Sequence, residues 1–259
     1  MTRLRHNEPV PGLFDPRFAV VSLSIDYRNG HRLPFHDHSW AQVIYADHGV
    51  MQVSTHDTAW LVPPSRAIWV PADVAHSILM RGSVGMRTLY VAPTAQEWPE
   101  TCRALELQPV LRELILHLVH LEALDPSLPA HARLVGVLAD LIAGSENVPL
   151  TLSLPRDPRA RALAERILED PGCSGTLAEL ARNVGASLRT LQRLFRAETG
   201  GSVESWRRRA RMQHSVVALS EGASVTEAAL AAGYRSASAF ISAFKQTFGV
   251  TPSRYDPAE

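Results

Sequence analysis

The sequence predicts two domains: an N-terminal all-β barrel with helices following it, and a C-terminal all-α domain of two helix-turn-helix units. Three observations carry that expectation. Residues 18–100 break into short runs rich in Val, Ile, Tyr and Trp, divided by Gly, Pro, Asp and Ser. From 101 onward apolar residues recur at helical spacing instead. The stretch 176–252 is one pattern written twice: Ala181 and Gly185 map to Ala229 and Gly233, 48 residues on, and Phe195 and Gly200 map to Phe244 and Gly249, 49 residues on.

The 259 residues, 46% hydrophobic and 20% charged, suffice for two globular domains. The zero net charge hides an asymmetry. Residues 1–155 carry 11 Arg against 15 acids (−4), and residues 156–259 carry 14 Arg and one Lys against 11 acids (+4). A basic C-terminal half fits a polyanion-binding surface. Cys102 and Cys173 lie 71 residues apart without metal or redox spacing, which fits a reducing compartment. The opening MTRLRHNEPVPGLF has no apolar signal core and no run of 18 apolar residues occurs, so the expectation is a cytoplasmic protein with no membrane partner. No Gly-rich phosphate loop or G-x-S-x-G elbow is present, which argues against nucleotide-hydrolysing and hydrolase chemistry.

In chain order, residues 1–17, with three prolines and mixed charge, read as a flexible arm. Residues 18–100 read as the barrel, with Pro63, Pro64 and Pro71 at strand ends, where a missing N–H costs least. Seven of the eleven histidines lie in residues 1–76. His36 and His38 form an H-x-H pair, and on a strand i and i+2 share a face. Gln42 shares that parity and offers a carbonyl oxygen, and His76 sits on a candidate partner strand. Together they can hold one ion, and so few anionic donors favour Zn, Ni, Cu or Fe over Mg or Ca. A polar pocket lined by the same histidines is the other reading. Trp40, Tyr45, Met51, Trp69 and Tyr90 are candidate walls for an effector inside the barrel, though each could equally be core.

The run from Gly30 through His36, His38, Gln42 and Gly49, followed by Pro71, Asp73 and His76, resembles the two motifs of the cupin superfamily. Gln42 stands where that family carries glutamate and Asp73 where it carries glycine. The resemblance implies a sensor barrel over 18–100 that takes a metal or small molecule.

Residues 101–147 carry two helical patterns, Val110/Leu111/Leu114/Ile115/Leu118/Leu121 and Leu134/Val137/Leu138/Leu141/Ile142. Their wide apolar faces suit a partner chain, hence a homodimer, or a cover for the barrel. Residues 148–156, with Pro149 and Pro155, read as a linker. The domain 157–259 opens with Asp157-Pro158, a cap and first-turn pair. Its two units are expected at 176–198 and 224–248, with Thr176 and Glu179 forming a capping box and Ser187 and Ser236 capping the second helices.

This second domain resembles the DNA-binding domain of the AraC/XylS family of bacterial transcription regulators, most specifically in the run from Ala229 through Gly233, Phe240, Phe244, Lys245, Phe248 and Pro252 to Tyr255. Residues 33–46 and 62–76 look like its NimR-like subgroup. The resemblance implies that each second helix enters the major groove of double-stranded operator DNA. Carried over by position, Arg189, Thr190, Gln192 and Arg193 read bases from the first unit, and Ser236, Ala237, Ser238, Ile241 and Ser242 from the second; Arg196, Arg235 and Lys245 meet phosphates. An activator would also meet RNA polymerase. The leading reading is a regulator controlled by a small molecule or metal; a metal-dependent cupin enzyme fused to a DNA-binding domain is the alternative.

Overall fold

The structure, a computed structural model, describes residues 14–145, 151–170, 175–220, 222–248 and 251–254. Most of the expected arm, Cys173, the first part of the expected linker and Tyr255 lie outside the described residues.

Two long strands set the N-terminal sheet. β3 (Ala41–Ser54) and β6 (His76–Val91) pair antiparallel from end to end. Each is too long for one further neighbour. β3 takes β5 (Arg66–Val70) along its first half and β4 (Thr58–Val62) along its second. β6 takes β2 (Arg32–His36) and then β1 (Val20–Tyr27). β7 (Arg103–Glu106) extends β5, β8 (Ala123–Leu124) extends β1, and β9 (Thr151–Ser153) extends β4. Between Ala46 and Val50 the β3–β6 register shifts twice, and a bulge of this kind bends a strand. Gly49 makes the bend possible. Its φ is 74°, and a Cβ built there would run into the Ser83 carbonyl of β6. The nine strands form an open order, β7-β5-β3-β6-β1-β8, and among the described residues no ladder joins its ends. Where a cupin-like barrel was expected, the described strands form a bent sheet wrapped around its core and not closed on itself.

The sheet has two apolar faces. The inner one gathers Ile44, Met51, Val53, Ile68, Ile78, Met80 and Met86. The outer one presents Val43, Tyr45, Trp69 and Leu89 to α1 (Pro109–Leu121) and α2 (Pro129–Gly144), which answer with Leu111, Ile115, Leu118, Val135, Leu138 and Ile142. The two helices thus cover a sheet face. Val110 and Val137, expected on the buried stripes, remain 57% and 45% exposed.

The C-terminal half is helical: α3 (Pro158–Glu169), α4 (Leu177–Asn183), α5 (Leu188–Thr199), α6 (Val203–Ser220), α7 (Val225–Ala231) and α8 (Ala237–Phe248). Its caps follow the sequence. The Asp157 carboxylate accepts from Arg159 N–H, and Thr176 with Glu179 closes a capping box. Ser224 with Glu227 closes the matching box one repeat later. Ala181 and Ala229 are buried where α4 and α7 cross their neighbours, and Gly185 and Gly233 take φ 67° and 75° in the turns that follow.

The two halves share cores. Residues 148–156 were expected as a linker, but Thr151–Ser153 pair with β4. Ala59, Leu152 and Leu154 pack in one cluster with Leu163, Ile167, Leu191, Phe195 and Trp206. Val50 and Leu61 join Met212, Val216, Phe240 and Phe244 in another. The Trp206 indole donates to Ser153 O at 2.7 Å, and the Arg81 guanidinium donates to Leu168 O at 2.7 Å.

Candidate metal centre and nucleic-acid interface

His36 and His76 stand opposite each other across β2 and β6. His38 does not lie on the strand, which ends at His36. It sits in the following loop, whose carbonyl at His38 accepts from Asp73 N–H at 2.9 Å. A loop-to-loop hydrogen bond, and not strand alternation, swings the third imidazole in. Asp73, which stands where the cupin pattern has glycine, takes φ 60°, the left-handed conformation that glycine favours and aspartate tolerates. Nitrogens of the three rings lie within 4.8 Å of one another.

Hydrogen bonding fixes what those nitrogens offer. Nδ1 of His36, His38 and His76 each faces a backbone carbonyl, of Pro34, Trp40 and Val74. A carbonyl only accepts, so Nδ1 carries the proton, and in a neutral ring Nε2 keeps a lone pair. Burial pushes the His76 pKa down to about 4 and also lowers that of His38, so both are neutral near pH 7. Their Nε2 atoms nevertheless sit 3.1 and 3.0 Å from Gln42 Oε1, another acceptor. Three lone-pair donors converging without a proton between them form the donor set a first-row transition ion takes. The residues therefore fit the metal that the cupin pattern implies.

The expected effector walls divide. Tyr90 meets His38 edge-on at 5.1 Å, and Phe14 lies 5.9 Å from His38, 5.9 Å from Trp40 and 5.6 Å from Tyr90. These aromatics close over one side of the histidines. Met51 lies on the inner face beyond them. Tyr45 and Trp69 are a correction: both point to the outer face beneath α1, away from the histidines, and the Trp69 indole donates to Pro99 O. Their strand parity is opposite to that of Gln42, which is why. Sequence reasoning missed Phe14 and Thr88; the latter's hydroxyl touches Gln42 from β6. The signal for Thr88 was its parity with Tyr90, which no motif marks.

On the other half, α5 exposes Arg189, Gln192, Arg193 and Arg196, at i, i+3, i+4 and i+7. α8 exposes Ser238, Ile241, Ser242 and Lys245 at the same spacing, each 49 residues on from its α5 counterpart. Both helices bury the opposite stripe, Leu191, Leu194 and Phe195 in one and Phe240 and Phe244 in the other. Ser236 and Arg235 are exposed at the start of α8, and Ala237 is half-buried. Thr190 fits base reading least: it is half-buried, with its hydroxyl 2.9 Å from that of the cap Ser187. Gln192 reaches Glu204 at 3.4 Å.

Two family patterns match the chain. The one described as an AraC-like ligand binding domain covers residues 18–147, and the one described as a helix-turn-helix domain covers residues 180–257. The HTH-type transcriptional regulator NimR of Escherichia coli K12 is 34% identical over 222 residues, 86% of this chain and 81% of that protein. The HTH-type transcriptional regulator RipA of Corynebacterium glutamicum is 34% identical over 111 residues, 43% of this chain and 33% of that protein. A crystal structure of the DNA-binding domain of AdpA in complex with a target DNA is 28% identical, spans 38% of this chain and 88% of that one, and has a TM-score of 0.35.

Proposed function

The chain belongs to the AraC family of DNA-binding transcription regulators with a ligand-binding domain, and from that premise we propose that it reads operator DNA through two helix-turn-helix units under the control of an effector held at the histidine cluster. The curated relative it matches across 86% of its length is a transcriptional regulator, so the enzyme alternative falls. The observation that carries the two-unit reading is the pair of exposed stripes on α5 and α8, equal in spacing and set on units with matching capping boxes. A recognition helix presents such a stripe to the major groove.

The stripes differ in chemistry. α5 offers Arg189, Gln192 and Arg193, side chains that form bidentate bonds to guanine and adenine edges. α8 offers Ser238, Ile241 and Ser242, suited to single hydrogen bonds and thymine methyls. The first unit thus carries most of the discrimination. Arg196, Arg235 and Lys245 meet phosphates and give affinity without sequence information.

In the sensor half, a cupin-like reading of the bent sheet places a transition ion, Zn, Ni, Cu or Fe, on His36, His38, His76 and Gln42 Oε1. When bound, the ion would be the effector itself or would supply a Lewis-acidic anchor for a small molecule. Trp40, Tyr90 and Phe14 exclude water on one side, and the backbone carbonyl partners hold the ring orientations. The exposed Val110 and Val137 on α1 and α2 suit a second copy of the chain, so the working species is a dimer in the cytoplasm, with RNA polymerase as a partner at activated promoters.

A footprint on DNA flanking its own gene tests the two-unit reading. Protection over about two successive major-groove turns on one face is expected. Protection confined to one turn would sink it. Elemental analysis of tag-free protein beside a His36→Ala/His38→Ala variant tests the metal, with about one equivalent expected in the first and none in the second.

A further inference from the structure

The geometry points to Thr88 as the residue that makes Gln42 a metal ligand, by fixing which end of its amide faces the histidines. This rests on the metal reading of the same cluster. Thr88 is fully buried on β6, directly across from Ile44 of β3 and one alternation from Tyr90. Its Oγ1 lies 2.8 Å from Val43 O and 2.8 Å from Gln42 Nε2.

The argument is a count of protons. A threonine hydroxyl donates once. Val43 O can only accept, so the Thr88 hydrogen goes there. The hydroxyl oxygen then has only lone pairs left for Gln42, and the amide must present its N–H to Thr88. That turns Oε1 toward His38 Nε2 and His76 Nε2. The opposite amide orientation would satisfy both imidazoles by donating to each. It would also place Oε1 against Thr88, and one hydroxyl proton would have to serve two oxygens, both 2.8 Å from it. With the ion drawing on Oε1, the Thr88–Val43 bond leaves Thr88 only a lone pair for the amide, so it holds the N–H end and supports the orientation that aims a carbonyl oxygen at the ion.

A carboxylate would need no such help, since both its oxygens are donors to a metal. Gln42 stands where the cupin pattern carries glutamate, and an amide is two-faced: one end binds a cation and the other repels it. Thr88 resolves that ambiguity. It is a positioning residue acting through Gln42 and touching no ion itself.

The test is zinc affinity of the full chain, measured by competition with a chromophoric chelator at pH 7.5. Thr88→Val keeps the volume and removes the proton; it should weaken zinc binding about 10- to 100-fold. Thr88→Ser keeps the hydroxyl and should restore affinity to within a few-fold of the parent. In a Gln42→Glu background Thr88→Val should have little effect, because a carboxylate has no wrong end. A purely structural loss would weaken binding equally in both backgrounds, so the coupling between the two sites separates the explanations. Thr88→Val binding zinc as the parent does, or losing the same factor beside Gln42→Glu, overturns the assignment and leaves the metal reading standing. Failure of the parent itself to bind zinc overturns both.

Discussion

At the scale of single residues, the two exposed stripes make opposite predictions. Arg193→Ala should cost about 1–3 kcal/mol on the preferred sequence and almost nothing on a variant changed at one base pair, because a bidentate guanine contact is sequence information. Lys245→Ala should weaken all duplexes alike and lower the salt slope of binding by about one. Anisotropy titrations on a panel of single-base variants at several salt concentrations measure both. Uniform loss from Arg193→Ala would show that the guanidinium meets phosphate. In the sheet, Gly49→Ala forces a Cβ into the Ser83 carbonyl at φ 74° and should destabilise the fold by roughly 2–5 kcal/mol, read by denaturant unfolding. The sequence marked the histidines through their spacing and Gly49 through its likeness to the cupin motif. It placed Tyr45 and Trp69 wrongly because a strand alternates and only the register tells which parity faces inward.

At the scale of elements, the helices were the most legible part of the chain. Thr176, Ser187, Ser236 and Asp157 cap where local chemistry puts them, since a cap is a bond between residues two or three apart. Ser224→Ala should remove about 1 kcal/mol from α7 and speed amide exchange in its first turn, leaving α4 unchanged. The His38 loop was illegible for the converse reason: it is held by the Asp73–His38 backbone bond between two loops, with no periodicity to read. α6 also carries a titratable group against the other half. Burial chiefly, and then the charge of Arg81, lower the His214 pKa, while Asp170 raises it. The neutral ring is therefore the folded form. As pH falls below about 6.5 the unfolded chain takes the proton first, and stability falls with it. His214→Gln should flatten that part of the stability profile between pH 7 and 5. An unchanged slope would place its origin elsewhere.

At the scale of the molecule, the sequence showed two domains but not that they share cores. Val50, Ala59 and Leu61 look like any strand residues, and their helical partners lie more than a hundred positions away in the chain. Arg81 joins the halves with a charged donor at the carboxyl end of α3, where helix carbonyls concentrate negative potential. Arg81→Met should speed amide exchange in the last turn of α3 on the order of ten-fold or more, with α5 as the internal reference. Strand β9 has a practical corollary for anyone who cuts or splices this chain. A C-terminal fragment begun at Arg156 would lack the Ser153 carbonyl that receives the Trp206 indole, and would lay bare the hollow that Leu152 and Leu154 fill. One begun near Val148 keeps both. A chimera that borrows this reading half must bring Thr151–Leu154 with it, because the seam between the parts runs through a packed interior.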